Sequence, residues 1–396
     1  MSEPDAPAAV PSPAVPSPAV PRALVVPAQQ ASVRVHEPRR GDCPWCGSTR
    51  LRNRLRTGDL RRHRPGRFTV DACRECGHTF QNPRLTAEGL AFHRRTPRGA
   101  PRDAVTDHVL ALRDAPRRRR ATARAMLRFG EPESWLDVGT GHGRFPDIAR
   151  EFFPYTAFDG TDLTARVERA RVLGRVEEAH IGALTDPKLL ARVAARYDVV
   201  SLLHHLEHTT DPRTELRAAL DALRPGGHLL IETLDPRCVF AALFGNRWLS
   251  YDQPRRLHLL PPRNLRAELE ALGCEIVTTR PGVTRPGVTR PGVTRPGVTG
   301  SAARPAASRS GHRSLYVPYD LAGATALALS HALPAPDAPW RAIPPTSFQQ
   351  QARAVLLRAG TPLVAVAALT DLALAPVLRL TPFANAYRII ARKPAN

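Results

Sequence analysis

Short apolar runs alternate with stretches of helical periodicity from Ser134 onward. The runs read SWLDVG, YTAFDGTD, RVEEAHI, YDVVSLL, GHLLIETL and CEIVTT. Strands separated by helices indicate an open, mainly parallel α/β sheet, in which ligands bind beyond the carboxyl ends of the strands. The pattern predicts a core over residues 131–279.

Helical patterns lie on both sides of this core. Residues 86–130 are predicted to form a helical linker, in which one helix opens at Pro116 and its arginine run, residues 117–120, faces solvent. Residues 313–396 are predicted to hold C-terminal helices and, in NAYRIIARKP, the last strand of the core. Two helices are expected there, FQQQARAVLLRAG and PLVAVAALTDLALAPVLRL. Because Asp371 and Pro376 interrupt the second one, no membrane span is predicted.

Two tracts are too biased in composition to pack into a core. Residues 1–38 contain PSPAV twice and are predicted to be a disordered arm rich in proline and alanine. RPGVT occurs four times between Arg280 and Thr299, and residues 280–312 are predicted to be a disordered insertion. The N-terminal stretch has no basic segment followed by an apolar one, so we expect no secretory signal and a cytoplasmic protein.

The net charge of the 396 residues is +21, which would be typical of a protein that binds nucleic acid. Nearly all of this charge comes from arginine, since only Lys188 and Lys393 are lysines. Arginine, alanine and proline are frequent throughout the chain, which indicates a general compositional bias. The charge therefore leaves nucleic acid as an alternative partner without favouring it.

Four cysteines form two C-x-x-C pairs within residues 39–85. Cys43 and Cys46 lie in CPWCG, and Cys73 and Cys76 lie in CRECG. The glycine after each pair permits the tight turn that directs two sulfurs toward one ion. Four thiolates favour tetrahedral zinc, and a segment this short needs the metal in order to fold. The spacing predicts a zinc ribbon with one structural Zn²⁺.

The stretch WLDVGTGHGRF places an acid and three glycines at the end of a predicted strand. Gly139, Gly141 and Gly143 allow a sharp turn and a close approach of the backbone to a ligand. A dinucleotide fingerprint would need a glycine at position 144, where the chain has arginine. Asp137 precedes the loop, and Asp162 follows the next strand, where a carboxylate can bind a ribose diol. Two carboxylates without a phosphate binder predict a cationic, phosphate-free nucleoside such as S-adenosylmethionine.

These motifs together resemble class I S-adenosylmethionine-dependent methyltransferases, which have a Rossmann-like α/β fold with a mainly parallel seven-stranded sheet. LDVGTGHGRF is similar to the first motif of that family. YDVVSLLHHLEH, RPGGHLLIETLDP and NRWLSYDQPRRLHLLPPRNLRAELEALGCEIV resemble the branch of the ubiquinone-biosynthesis O-methyltransferases, although Arg256 and Cys274 replace a histidine and a phenylalanine. The paired cysteines followed by FQNPR resemble the zinc ribbon that precedes some of these enzymes.

The resemblance implies roles for the residues around the cofactor. Asp137 and the loop backbone at Gly139, Thr140, Gly141 and Gly143 would face the methionine end of S-adenosylmethionine. Asp162 would bind the ribose hydroxyls, and Leu163 would lie against the adenine. Residues 181–184 would close over the base.

HHLEH follows the fourth strand of the core, at the edge where an acceptor would lie. A histidine there suits a general base near neutral pH. His204 has the family's usual position directly after the strand, so it is predicted as the base and as a neighbour of the cofactor, with His208 and His258 as alternatives. A different reading of the same cluster is a divalent catalytic metal held by His204, Glu207 and His208.

The features above predict an enzyme that moves a methyl group to a small-molecule acceptor, most readily at an oxygen of a quinone-like, glycan-like or secondary-metabolite substrate. The alternative is an RNA methyltransferase whose zinc ribbon binds RNA. Against this alternative, the fourth strand ends in LLHHLEH and lacks the Asn/Asp-Pro-Pro-aromatic loop common in enzymes that methylate nucleobase amines. The sequence leaves the oligomeric state open.

Overall fold

The computed structural model describes residues 35–94, 104–114, 116–277, 313–334, 336–338, 341 and 343–395. The predicted insertion at 280–312 and residues 1–34 of the predicted arm lie outside these ranges. Residues 35–38, which the sequence assigned to the arm, belong to the folded part. Val35 O accepts a hydrogen bond from Thr86 N at 3.0 Å, and Glu37 N donates to Arg84 O at 2.8 Å.

Twelve strands lie in the described residues. They are β1 (Leu51–Thr57), β2 (Phe68–Cys73), β3 (Thr79–Gln81), β4 (Ser134–Val138), β5 (Ala157–Asp162), β6 (Ala179–Ile181), β7 (Tyr197–Leu203), β8 (Leu223–Leu234), β9 (His258–Leu259), β10 (Glu275–Ile276), β11 (Arg313–Leu315) and β12 (Ala386–Arg392).

Eleven α-helices lie in the same residues. They are α1 (Ala87–Arg94), α2 (Ala104–Arg113), α3 (Pro116–Arg124), α4 (Arg144–Ala149), α5 (Arg166–Val172), α6 (Pro187–Val193), α7 (Pro212–Ala222), α8 (Val239–Leu243), α9 (Pro262–Ala271), α10 (Asp320–Ala332) and α11 (Ser347–Leu378).

The larger sheet has the strand order β6-β5-β4-β7-β8-β12-β10, and β11 also pairs with β12. Strands β6, β5, β4, β7 and β8 are parallel, whereas β12 is antiparallel to β8. Apolar side chains cover both faces, as a parallel sheet requires. Trp135 of β4 packs with Phe153 and Phe158, while its neighbour Leu136 belongs to a second apolar cluster. The mainly parallel Rossmann-like sheet predicted from the sequence is confirmed.

This sheet has eight strands because its edge strand is in two pieces. β10 and β11 both pair with β12, with Ile276 opposite Ala391 and Arg313 opposite Arg388. Between these two pairs the chain advances by 37 residues (313 − 276), whereas the partner position in the antiparallel β12 moves back by three (391 − 388). The difference, 34 residues, interrupts what is otherwise a single register. Arg313 therefore takes the place that residue 279 would have in an unbroken strand.

The smaller sheet is antiparallel and has the order β1-β2-β3-β9. Its first three strands come from the predicted ribbon, whereas β9 comes from the segment between β8 and α9 of the core. Cys43, Trp45 and Phe80 also share one apolar cluster with Leu136 and Val200 of the larger sheet. The ribbon is thus part of the same packed unit as the core, which the sequence did not indicate.

Residues 347–378 form one helix, where the sequence predicted two. Thr346 begins α11 with a reciprocal pair of hydrogen bonds to Gln349, and Pro362 and Pro376 lie inside the helix. Asp371 does not interrupt it, because its side chain is buried against neighbouring elements. By length and composition alone α11 could cross a membrane, so Asp371 and Pro376 do not exclude a span, and the expected absence of one stays a prediction.

The arginine run at the start of α3 also differs from its prediction. The side chains of Arg118 and Arg119 are only 27% and 15% exposed, and they pair with Glu232 and Asp114. The run is not a solvated face, because Arg118 reaches the carboxyl end of β8, where Glu232 lies.

Candidate active site

The glycine loop leaves β4 in a left-handed conformation. Gly139, Gly141 and Gly143 have φ angles of 74°, 58° and 67°, values that residues with a side chain rarely adopt. The N–H groups of Gly139 and Thr140 both donate to Thr161 O, at 2.9 and 3.0 Å. These bonds fold the loop across the end of β5, so that a ligand at the end of β4 also meets β5.

Asp137 lies in β4 just before this loop and is buried. Its Oδ1 accepts a hydrogen bond of 2.6 Å from Ser201 Oγ, a neutral donor on β7. Burial raises the pKa of Asp137 to about 6, against the opposing effect of this hydrogen bond. A cation bound next to Asp137 would stabilise its ionised form.

Asp162 ends β5 and orients the loop from the other side. Its Oδ2 accepts from Gly141 N at 3.2 Å, and its Oδ1 accepts from Thr164 N and Thr164 Oγ1 at 2.9 and 2.5 Å. The side chains on either side of this point, Leu163 and Ile181, are 55% and 59% exposed. An acidic group flanked by uncovered apolar side chains fits a nucleoside, because the ribose hydroxyls can donate hydrogen bonds to the carboxylate and the base can pack against the apolar side chains.

His204 follows β7 in a left-handed conformation with φ of 52°, which a residue with a side chain adopts only when its surroundings hold it there. Its N–H donates to Glu232 O at 2.7 Å, and its Nδ1 lies 3.0 Å from Glu207 Oε1. Burial opposes ionisation of Glu207, but the hydrogen bond to His204 and the charge of Arg256 favour it, and the pKa of Glu207 is lowered to about 2, so Glu207 is ionised near neutral pH.

This pairing determines which nitrogen of His204 can accept a proton. A carboxylate only accepts hydrogen bonds, so Nδ1 carries the hydrogen and Nε2 keeps its lone pair. Nε2 is buried and has no hydrogen-bond partner among the described residues. Burial and the charge of Arg118 lower the pKa of His204, so the ring is neutral at physiological pH.

His205 joins residues 204–208, the histidine segment, to the glycine loop, and no sequence pattern predicted a role for it. A Cβ atom at Gly139 would lie 2.4 Å from His205 Nδ1, so only glycine allows the two segments to approach this closely. His205 Nε2 bonds Glu215 Oε1 at 2.9 Å. The contact places the loop predicted to hold the cofactor next to the residue predicted to be the base.

A buried ionic group on β8, which no sequence pattern predicted, lies beside His204. Glu232 Oε1 accepts from Arg388 Nε at 2.7 Å and from Thr122 Oγ1 at 2.8 Å, and Arg118 Nη2 reaches Oε2 at 3.4 Å. Burial opposes ionisation of Glu232, but the charges of Arg388 and Arg118 outweigh it and lower the pKa to about 2. The sequence pointed to Glu232 only through the letters IET of β8. Its partners could not be predicted, because they are 110 to 156 residues away along the chain.

The two alternative bases have less suitable geometry. His258 lies between His78 and Thr210: its Nδ1 is 3.0 Å from His78 Nε2, and its Nε2 is 3.3 Å from Thr210 O. Both of its nitrogens are therefore engaged, so its geometry suits a general base less well than that of His204, and its role as a base stays a prediction. His208 Nδ1 donates to Arg255 O at 2.7 Å, and burial lowers the pKa of His208 to about 4.

The four predicted zinc ligands meet at one point. Cys43 Sγ lies 3.7 Å from Cys76 Sγ, and Cys46 Sγ lies 3.6 Å from Cys73 Sγ. A tetrahedron of Zn–S bonds has sulfur atoms about 3.8 Å apart, so the donor set fits Zn²⁺. Among the described residues, the one other cluster of metal-binding side chains is Asp159, Glu178 and His180. The trio His204, Glu207 and His208 does not form such a cluster, which argues against the catalytic metal.

The ribbon and the helix after it hold the histidine segment in place. Cys43 Sγ is 3.6 Å from His78 Nδ1, and His78 in turn contacts His258. Arg84 Nη1 donates to Thr210 O and Arg94 Nη2 donates to His208 O, each at 2.6 Å. The candidate base is therefore supported by the part of the chain that contains the four cysteines.

Residues 112–279 match a family model described as a methyltransferase domain. These residues form a methyltransferase domain. The match contains Asp137, the glycine loop, Asp162 and the histidine segment. It confirms the class I methyltransferase fold that the sequence predicted.

Relatives of this methyltransferase domain include ubiquinone biosynthesis O-methyltransferases. The chain is 30% identical to that of Alkalilimnicola ehrlichii over 126 residues, which cover 31% of this chain and 51% of that protein. It is 30% identical to that of Azotobacter vinelandii over 148 residues, 36% of this chain and 64% of that protein. It is 35% identical to that of Cronobacter sakazakii over 101 residues, 25% of this chain and 42% of that protein. The chain thus spans less than two thirds of each relative.

Proposed function

We propose that the protein transfers the methyl group of S-adenosylmethionine to an oxygen atom of a small-molecule acceptor. The observation that carries the proposal is the methyltransferase domain at 112–279, in which Asp137, the glycine loop and Asp162 lie together at the ends of β4 and β5. The relatives support oxygen as the acceptor atom, because their names describe O-methyltransferases.

S-adenosylmethionine, when bound, would supply an electrophilic methyl carbon on a sulfonium sulfur, which would leave as a neutral thioether. In this proposal Asp137 stabilises the positive charge at the methionine end, and Asp162 accepts hydrogen bonds from the ribose hydroxyls. His204 Nε2 would accept the proton that the acceptor hydroxyl loses when its oxygen is methylated. Glu207, ionised and bonded to Nδ1, stabilises the resulting imidazolium ion.

The proposal includes one structural zinc ion bound by Cys43, Cys46, Cys73 and Cys76. Four thiolates complete a tetrahedral shell, so this ion would have no open position for a substrate. Its role would be to stabilise the ribbon, and through the ribbon the histidine segment.

Methylation of RNA remains the second candidate, and the structure offers less support for it. Arg118, Arg119 and Arg120, which could have contacted phosphates, are paired with the carboxylates of Glu232, Asp114 and Glu151. An incubation with methyl-labelled S-adenosylmethionine and separate RNA and small-molecule fractions distinguishes the candidates. Label in the small-molecule fraction supports the proposal, and label in RNA would reverse it.

Two substitutions test the cofactor site and the base separately. Asp162→Ala removes the acceptor for the ribose diol, at a cost of about 1.5–3 kcal/mol, so calorimetry should show about ten- to a hundred-fold weaker cofactor binding. Asp221→Ala, which removes an exposed carboxylate elsewhere, should bind the cofactor as the parent does. Unchanged binding by Asp162→Ala would contradict the assignment of the cofactor site.

His204→Ala should preserve cofactor binding and lower turnover by about a hundred-fold or more, because the proton of the acceptor loses its base. His108→Ala replaces an exposed histidine in α2 and serves as the control. Full turnover by His204→Ala would show that the acceptor reacts without this base, and would leave the cofactor assignment intact.

A further inference from the structure

The outer side of α11 is a long apolar surface that the described residues leave uncovered. Leu363, Val366, Leu369 and Val377 are 60% to 66% exposed, and Leu380, just beyond the helix, is 82% exposed. Soluble proteins rarely expose a continuous apolar patch of this kind unless it binds something. We call the exposed apolar side of residues 359–380 the α11 face.

The two sides of this segment differ in charge. Residues 359–378 span about 30 Å along the helix axis and contain one charged residue, Asp371. Asp371 is turned inward, where Oδ1 accepts from Tyr316 OH at 2.9 Å and Oδ2 accepts from Ala322 N at 3.0 Å. The α11 face therefore carries no charge over this length, although 23% of the whole chain is charged.

The inner side of the helix is fixed to the folded unit. Arg353 donates to Ser330 O and Pro334 O at 3.0 and 2.8 Å. At Gly360 an added Cβ would lie 2.4 Å from Leu329 Cδ2, which shows how closely α11 approaches α10. A helix tied along one side by buried polar bonds cannot cross a bilayer alone, but its free side can enter the interface laterally.

Charge identifies the occupant of the α11 face. Exposed arginines, Arg358 and Arg379, bracket the uncharged length, and the net charge of the chain is +21. A second copy of the chain would bring the same positive charge against this face, which opposes association. Anionic lipid headgroups offer the complementary charge, and the acyl region below them accepts the apolar side chains.

We propose that the α11 face binds the surface of an anionic lipid bilayer, with the apolar side chains inserted between headgroups and the flanking arginines bound to lipid phosphates. The helix lies parallel to the bilayer plane, and the methyltransferase domain stays in the aqueous phase. The proposal rests on α11 alone and is independent of the acceptor.

Vesicle flotation with the full-length protein tests this. Vesicles of phosphatidylcholine with about one third phosphatidylglycerol should carry the parent protein upward, whereas phosphatidylcholine alone should carry much less. The double substitution Val366→Glu/Leu369→Glu places two charges on the α11 face and should weaken binding to the anionic vesicles at least about tenfold. Val172→Glu/Leu173→Glu makes the same charge change at two exposed apolar residues, the last residue of α5 and the one after it, and should bind as the parent does.

Cofactor affinity and the melting temperature of each variant establish that the fold is retained, since all four residues are exposed. Equal flotation of both double variants would overturn the proposal, as would failure of the parent to bind anionic vesicles. A dimer in the parent that Val366→Glu/Leu369→Glu converts to a monomer would also overturn it, because the face would then bind a second copy.

Discussion

Some residues of the candidate site can be predicted from the sequence directly next to them, whereas others depend on partners that are distant along the chain. Asp137 is the penultimate residue of β4, Asp162 ends β5 and His204 directly follows β7, so the apolar runs themselves indicate that these residues lie at the carboxyl ends of parallel strands. Glu232 and His205 acquire their surroundings from partners that are distant along the chain. Arg118 was misread for the same reason, because its carboxylate partner is 114 residues away. Sequence patterns near a strand end identify the ligand side of the sheet but not the buried groups that support it.

Asp137 makes the cofactor site sensitive to pH. Its pKa is about 6 in the folded chain, above the unfolded value of about 3.9, because burial disfavours the charge. A cation is held by the ionised form, so cofactor affinity should fall as pH decreases through 6, by about tenfold between pH 7 and pH 5. Calorimetry across this range measures the effect.

The same pKa shift has the opposite sign for stability. Between pH 6 and pH 4 Asp137 is protonated in the folded chain and ionised in the unfolded chain. This group therefore increases the free energy of unfolding as pH falls through that range.

Asp137→Asn should bind the cofactor weakly at every pH and lose the pH dependence of cofactor affinity, whereas Asp221→Asn should keep that dependence. A parent protein with constant affinity from pH 7 to 5 would show that Asp137 does not contact the cation.

At the scale of elements, the periodicity of the core was more informative than that of its borders. Strands β4 to β8 follow from apolar runs separated by helical stretches, and their order is the one expected of such a sheet. The two predicted C-terminal helices are one, because Ala322 of α10 and Tyr316, just after β11, donate hydrogen bonds to Asp371, so that the segment around it stays helical. Only tertiary contacts reveal that an acidic residue in an apolar stretch is a buried anchor rather than a break.

The edge strand predicts how the chain responds to deletion. Removing the 34 residues 279–312 would join Thr278 to Arg313 in the register that β10 and β11 already share with β12. We expect soluble protein with cofactor affinity within a few-fold of the parent, because shortening a connection changes the entropy of loop closure only slightly.

A deletion that is one residue shorter provides the control. Removing residues 279–311 shifts Arg313–Leu315 by one position against β12 and moves each side chain to the opposite face of the sheet. This variant should melt at a lower temperature than the 34-residue deletion. Insolubility of the 34-residue deletion would mean that the removed segment is part of the packed structure.

For the whole molecule, the main departure from the sequence is the union of the ribbon with the core. Composition and cysteine spacing suggested a small module with its own metal. The two-residue strand β9 has no sequence pattern that would predict its pairing with the sheet of the ribbon. The shared apolar cluster of Cys43, Trp45 and Phe80 with Leu136 adds a second connection. Two modules that share both a sheet and a core should not unfold separately.

We therefore expect zinc to stabilise the entire chain. Metal analysis should find one zinc per protein, and removing it with a chelator should lower the temperature of a single cooperative transition in calorimetry. Among the four predicted ligands, Cys46 is the best one to replace with alanine, because it is exposed and its loss removes a zinc ligand without leaving a cavity in the core. Cys274→Ala removes a buried thiol outside the cluster and should keep the zinc.

Hydrogen exchange then shows how far the effect of zinc reaches. In Cys46→Ala, amides of the histidine segment and of Leu257, which donates to Glu207 O at 2.7 Å, should exchange faster than in the parent. The cause is that His78, Arg84 and Arg94 hold this segment from the side of the ribbon. Two separate transitions, with faster exchange confined to residues 39–85, would show instead that the ribbon is an independent domain.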